Sequence, residues 1–583
     1  MGLMSKHNST SLLIICFAIM FCLFSTLYAA ESPIEGRIFH PQGIDYTGIY
    51  DLRQIEPNLT GSGVKFAVVC RSFTYIDGEP QNDYRPNIEH NCFINSQIFL
   101  SDQSDSFAGN SPHSTAICSI LLGEDTQAFN SDLGQIYYQG TAPQAQAEIY
   151  EFWNFVVNNV FFNEPPDADI ITASIGSHFE DWWTRGIESL AEHHGLIVVA
   201  GIGNGGDSFD PVLYPGACAN VIGVGVIDSV NSDDIATNLS NFALAYPEHS
   251  SFGPTANGRC KPDIIAPGNC LAADVNEPDQ YEPTGNWSSF STPIVAGTIG
   301  LLVQKAKQDP ELKPVISSKG SNCVIKAIVL NSATKLPYWH KGKLQTDDDH
   351  IAPLDYIQGA GMLNAVGAYE QLVAGIKKPG EVSEIGWDLN NLEKNNTLEN
   401  IYRITLTEPS EKYITATLVW NRHYNNFYPF ESIPEKDSNL RLELWAIDPD
   451  NQNNNYLLDY SDSNIDNIEH IHIAADPSYT NYEIILSFSV LNGREDISET
   501  QQYGLAWKIN DKQDSDNIFW YDLCADGIVN ESDLTILLNN LSSSNRSQES
   551  YLLGDINTDG SIDVNDLKIL LNHNNRLADW RIK

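Results

Sequence analysis

The stretch "TGNWSSFSTPIVAGTIGLL" (Thr284–Leu302) sets two adjacent serines directly before a long run of small and apolar residues. Alone, it reads as a helix start. A hydroxyl ahead of an apolar run accepts one of the backbone N–H groups that a first turn leaves without a partner. Whether one serine is instead a nucleophile depends on what the rest of the chain supplies.

Three other stretches bear on that question. "SPHSTAICSILLG" (111–123) puts His113 at the start of an apolar helix, and "VVAGIGNGG" (198–206) ends a buried strand with Asn204 in a glycine-rich turn. "SSFGPTANGRCKPDIIAPG" (250–268) leads towards the serines. Singly, each has a plainer reading, as a helix-start residue, a turn residue and a surface loop. Their setting narrows the choice. From about Gly61 to Ala374, short apolar runs such as "VKFAVV" (64–69), "ADIITASIG" (168–176), "GLIVVAGIGN" (195–204) and "NVIGVGVID" (220–228) alternate with helical periodicity. Continuous apolar runs of this kind fit strands buried on both faces of a parallel sheet, giving an α/β fold with ligands at the carboxyl ends of the strands.

In order and content, these pieces together resemble the subtilisin-like serine proteases. "HSTAICSILLG" is similar to that family's His-Gly-Thr helix, with Ser114 in place of the glycine. "VVAGIGN" resembles the strand that delivers the oxyanion-hole asparagine, Asn204. "SSFSTPIVAG" resembles the Gly-Thr-Ser-x-Ala-x-Pro-x-x-Ala-Gly signature. Aligning Thr292-Pro293 and Ala296-Gly297 makes Ser289 the implied nucleophile, Ser288 the residue in the threonine place and Trp287 the residue in the first glycine place. The chemistry suits the assignment. A serine hydroxyl needs a base, neutral imidazole serves near pH 7, and a helix N-terminus favours the negative charge developing on the attacked carbonyl. No cofactor is expected for catalysis.

The resemblance also implies an aspartate at the end of the first strand. Here "GVKFAVVCRSFTY" (63–75) places Cys70 there, with Arg71 beside it. That carboxylate holds the histidine tautomer and stabilises the imidazolium, which a neutral thiol does poorly. A thiolate favoured by Arg71 would do better, but a cysteine at a strand end is more often buried and inert. Asp77, in "YIDGEPQNDY", is a candidate substitute. Two functions therefore stand: a serine endopeptidase acting on protein or peptide through Ser289, His113 and Asn204, and an impaired pseudo-protease whose cleft binds peptide without cutting it.

Beyond this region the texture changes. Between about 379 and 512, "IYRITL" (401–406), "YITATLVW" (413–420), "LRLELWAI" (440–447), "YEIILSFSVL" (482–491) and "YGLAWKI" (503–509) read as short strands of an all-β sandwich. The tail, 513–583, is duplicated. "DLCADGIVNESDLTILL" (522–538) and "DINTDGSIDVNDLKILL" (555–571) align without gaps, each with Asp at loop positions one, five and twelve and Gly at six. Leu534, Leu537 and Leu538 match Leu567, Leu570 and Leu571 as one face of a helix. Oxygen ligands at alternate positions with a glycine at the sharp turn suit Ca²⁺. The pair resembles a type I dockerin, a small α-helical pair of calcium loops, which implies a cohesin-type docking partner. Asp555, Asn557, Asp559 and Asp566 are the candidate ligands of one loop; Asp522, Asp526 and Asp533 are those of the other, which Cys524 at position three weakens because a thiol is a poor Ca²⁺ ligand.

Of the 583 residues, 33 are Lys or Arg and 76 Asp or Glu, a formal net charge of -43. Such a surface repels nucleic acid and anionic membranes. At the N-terminus, Lys6 and His7 precede the apolar run Ser11–Tyr28 and then Ala29-Ala30, the pattern of a secretory signal peptide, with an uncleaved anchor as the rival. Export is the expectation, and no membrane contact after cleavage. Only about thirty residues separate Ala30 from Gly61, so a folding prodomain is expected to be absent or much reduced. Eight cysteines follow the signal, an even number that permits disulfides without fixing their pairing. The expected organisation is a signal at 1–30, a peptidase domain at 31–378, a β-sandwich at 379–512 and the calcium-loop pair at 513–583.

Overall fold

A computed structural model describes residues 38–574 apart from 72–74, 77–78, 81–82, 102–108, 206–211, 230–233, 241, 243–248, 337–338, 343–347, 396–397, 409–411, 435, 490–499, 512–522, 524–528, 542–561 and 573. The signal region, Asp77, Asp522, Cys524, Asp526, Asp555, Asn557 and Asp559 lie outside the described residues.

Seven strands form the central sheet: β1 (Lys65–Cys70), β2 (Gln97–Leu100), β3 (Gln146–Glu151), β4 (Ile170–Ala173), β5 (Ile197–Gly201), β6 (Ile222–Ile227) and β7 (Ile264–Pro267). Their order is β7-β6-β5-β4-β1-β3-β2, and every pairing is parallel. Alternation along β1 shows that both faces are covered: Phe66, Val68 and Cys70 enter one apolar cluster, Ala67 and Val69 another. That is why these strands read as unbroken apolar runs. The strand order reverses around β1, so the carboxyl ends of β1, β4 and β5 lie side by side where such sheets place ligands.

The serine-rich stretch is a helix, α3 (Ser288–Gln308), and on the same face of the sheet runs α1 (Pro112–Leu122). The small residues of α3 mark close approach. A Cβ on Gly297 would lie 1.9 Å from Thr141 Oγ1, and one on Gly300 would lie 2.6 Å from the Phe66 ring. The opposite face is covered by α2 (Trp182–His194), started by an Asp181 capping box and stopped by Gly195 in the left-handed region.

A further helix, α4 (Ser321–Asn331), is buried along its whole length. Its Lys326 makes a buried ion pair of 2.9 Å with Asp263 Oδ1 and donates to Val221 O at 3.0 Å. Burial pushes the Asp263 carboxyl up, but Lys261 and Lys326 together hold it below its ordinary value. On its other side α4 meets the later strands. Thr417 Oγ1 donates to Asn331 Oδ1 at 3.1 Å, Asn322 Nδ2 donates to Asn421 Oδ1 at 2.6 Å, and a Cβ on Gly504 would lie 2.5 Å from Val324 backbone atoms.

Those later strands form two sheets. One contains β8 (Gly380–Val382), β10 (Glu399–Thr405), β15 (Asn481–Phe488), β12 (Leu440–Ile447) and β13 (Tyr456–Ser461), in that order. The other orders β9 (Ile385–Glu393), β16 (Thr500–Asp511), β11 (Lys412–Trp420) and β14 (Ile468–Ala474). Leu440, Leu442 and Leu444 from the first sheet share an apolar cluster with Leu418, Trp420, Leu505 and Trp507 from the second. Trp387, Val419, Ile468 and Ala506 instead face away and enter the cluster that holds α1, α3 and α4.

In the tail, Asn530 and Asp563 precede the helices α6 (Glu531–Asn540) and α7 (Val564–Asn572), numbered after α5 (Ala365–Val373). Leu537 and Leu570 pack together with Leu523, Val529 and Ile562. The expectation that Leu538 and Leu571 belong to the same inner face is corrected: they are 47% and 51% exposed, because the packed side of each helix centres on Leu537 or Leu570 and takes in Leu534 and Ile536, or Leu567 and Ile569, instead. Among the described residues no helix is long and apolar enough to cross a membrane. All seven described cysteines are buried free thiols.

Candidate active site

The carboxyl ends of the sheet and the start of α3 enclose a cleft of about 430 Å³ lined by His113, Asn204, Ser288 and Ser289, together with Arg71, Ser174, Gly176, Trp287 and Phe290. Residues from Arg71 to Phe290 in sequence thus converge on one hollow.

The two serines differ. Ser288 is buried, donating its hydroxyl to Asn204 Oδ1 at 2.9 Å and accepting from Gly203 N–H at 3.3 Å. Its backbone N–H also donates to Asn204 Oδ1, at 3.0 Å. A backbone N–H can only donate, so this contact identifies the amide oxygen and turns the Asn204 NH₂ the other way. Gly203, at φ +114, adopts the left-handed region this turn needs, and a Cβ there would lie 2.4 Å from Ser251 Oγ. Ser289 is half-buried in the first turn of α3, where its N–H has no carbonyl four residues back within the helix.

Pro293 lies six residues into α3 and has no N–H to give to the carbonyl of Ser289. That carbonyl instead accepts from the Ser174 hydroxyl at the end of β4, at 2.8 Å. Ser174 is a positioning residue that sequence reasoning missed; the signal was the serine closing "IITAS" together with the proline inside the helix.

His113 is set by its own helix start. Ser111 caps α1 through Ser114 N–H at 3.2 Å, and Pro112 occupies the first turn, where its missing N–H costs nothing. The imidazole lies 5.9 Å from the Phe290 ring at a tilt of 53°, its Nδ1 is buried, and burial lowers its pKa to about 4. Among the described residues no carboxylate contributes to that shift.

Cys70 closes β1, fully buried. Burial pushes its thiol up to about 11, and the Ser114 hydroxyl against it offsets only part of the rise. Arg71 is exposed, and desolvation keeps Cys70 neutral, in keeping with a buried, inert strand-end cysteine rather than a thiolate favoured by Arg71. Asp77 lies outside the described residues. Among the described residues no group of three or more His, Cys, Asp or Glu is arranged to hold a metal.

In the tail the two helix starts repeat one geometry. Asp533 accepts from Asn530 N–H at 2.7 Å and Asp566 from Asp563 N–H at 2.8 Å, both carboxylates being fully buried. Each is thereby fixed at the junction of its loop and helix.

Comparison with known proteins adds three findings. Residues 47–361 match the model of the subtilase family. The chain is 29% identical over 230 residues to serine protease AprX of Bacillus subtilis, a match covering 33% of this chain and 48% of that one. Thermitase of Thermoactinomyces vulgaris is 25% identical over 330 residues, covering 54% and 97% respectively. Among solved structures, the prenylagaramide maturation protease PagA covers 56% of this chain at 22% identity with a TM-score of 0.37. The chain spans about half the length of AprX, and its match covers 18% of pyrolysin of Pyrococcus furiosus.

Proposed function

The chain belongs to the subtilase family, and from that premise we propose that it is a secreted serine endopeptidase in which Ser289 attacks the peptide carbonyl. His113 takes the serine proton through Nε2, since Nδ1 is buried, and returns it to the leaving amine. The oxyanion accepts from the Asn204 NH₂ and the Ser289 N–H. Water then hydrolyses the acyl-enzyme by the same proton path in reverse. The observation that carries this reading is the locking of Asn204 Oδ1 by Ser288, which leaves the NH₂ group of Asn204, a donor and not an acceptor, free of that contact. Hydrolysis of unfolded casein by the full chain, lost on Ser289→Ala, tests it; casein left uncut by the natural chain would refute it.

A second reading is favoured by one observation, the neutral thiol of Cys70 in place of a carboxylate. A neutral thiol stabilises the imidazolium formed during attack poorly, and the cleft would hold peptide while cutting it slowly or not at all.

The two later sheets read as a β-sandwich, and the tail as a dockerin-like pair. There Asp555, Asn557, Asp559 and Asp566 would hold one Ca²⁺ ion, and Asp522, Asp526 and Asp533 another. The buried, oriented Asp533 and Asp566 fit that role as the twelfth residues of their loops. A cohesin-type module is the partner this tail would dock.

A further inference from the structure

Among the described apolar side chains that line the cleft, Trp287 alone is exposed, and the proposed reaction does not use it. Trp287 lines the cleft beside both serines with 42% of its surface exposed. Its backbone is fixed, since the carbonyl accepts the first helical bonds from Phe290 N–H (3.0 Å) and Ser291 N–H (3.4 Å). A Cβ on Gly268 would lie 2.9 Å from Trp287 N, so the strand end fits closely behind it. The indole is fixed as well. Gly285, at φ +81, leaves it room, because a Cβ there would lie 2.9 Å from Nε1. On another side the His249 ring meets it edge-on, 6.3 Å away at 89°, and His249 Nδ1 is itself held 2.5 Å from Asp228 Oδ2. A rigid, half-exposed indole offers contact area at little cost in side-chain entropy, and it prefers apolar and aromatic partners.

We propose that Trp287 is a specificity-determining wall of this cleft, selecting peptides with an aromatic or large aliphatic side chain next to the bond presented to Ser289. The inference rests on the peptide-cleft reading above and deepens it by naming the substrate class. A glycine at Trp287 would remove the wall, and a phenylalanine would keep most of it.

Binding to the full chain carrying Ser289→Ala separates this claim from turnover. The probes are acetylated alanine hexapeptide amides with phenylalanine or glycine at the third or fourth position, titrated by calorimetry. The phenylalanine peptides are expected to bind on the order of tenfold tighter at one of those positions. Trp287→Gly should bring the two peptides to within about twofold, and Trp287→Phe should retain most of the preference. A preference that survives Trp287→Gly, or binding with no preference, overturns this inference alone. Absence of binding by every peptide overturns the peptide-cleft reading along with it.

Discussion

On the proposed function, Cys70 is the residue that sets the rate of peptide hydrolysis. Its thiol is buried, neutral and set against the Ser114 hydroxyl, so Cys70 brings no charge to the base at His113. Losing the corresponding carboxylate costs roughly 10⁴ in turnover in trypsin. Cys70→Asp is therefore expected to raise kcat/KM for peptide on the order of 10²-fold, less than full recovery because the carboxylate must be desolvated. Ser114 would help by donating its hydroxyl to the new anion. The pH profile checks the cause. In the natural chain His113, lowered to about 4 by burial, is neutral and able to act as base down to that pH. A carboxylate beside it favours the imidazolium and raises its pKa, so the acid limb of kcat/KM should move up by at least about one pH unit in Cys70→Asp. An unchanged rate and limb, with activity abolished by Asp77→Ala, would show that Asp77 already fills the place.

At the scale of elements, the tail and the site show what was legible in the sequence and what was not. Strands β1, β4, β5 and β6 were readable as apolar runs, whereas β3, "QAEIYE", alternates with polar residues and gives no such signal. Ser289 and Asn204 were legible because their neighbours fix the register. Ser174 was not, since its bond to Ser289 exists only because a proline elsewhere in the chain withholds a donor. The duplicated tail was legible as two loop-and-helix units from spacing alone, but the bonds by which Asp533 and Asp566 hold the residues before their helices were not. Calcium titrated into the full chain is expected to give a calorimetric binding signal and to raise the melting temperature of the tail transition. Asp559→Ala should remove more of that gain than Asp526→Ala, because the loop of Asp526 already carries Cys524. No heat of binding would contradict the calcium-loop reading.

Across the whole molecule, the boundary expected at residue 378 divides the sequence but not the core. Trp387, Val419, Ile468 and Ala506 complete the apolar cluster of α1, α3 and α4, and Gly504 leaves α4 the space to lie against β16. Trp387 Nε1 donates to Leu372 O at 2.8 Å, and Gln371 Nε2 donates to Trp507 O at 2.9 Å. A chain stopped at 378 would expose the face of α4 that β11 and β16 cover, and it is expected to aggregate or to lose cooperative unfolding. A soluble monomer melting within a few degrees of the full chain would show the two parts to be independent.

The claim that organises all of this is that Ser289 is an activated nucleophile while Ser288, one residue away, is the clamp on Asn204. Labelling with a fluorophosphonate reads it directly, because only a serine activated by a base reacts quickly. The natural chain should label, Ser289→Ala should not, and Ser288→Ala should keep much of the signal, since the Ser288 backbone N–H still holds Asn204. Labelling that persists in Ser289→Ala, or that never occurs in the natural chain, would contradict the account.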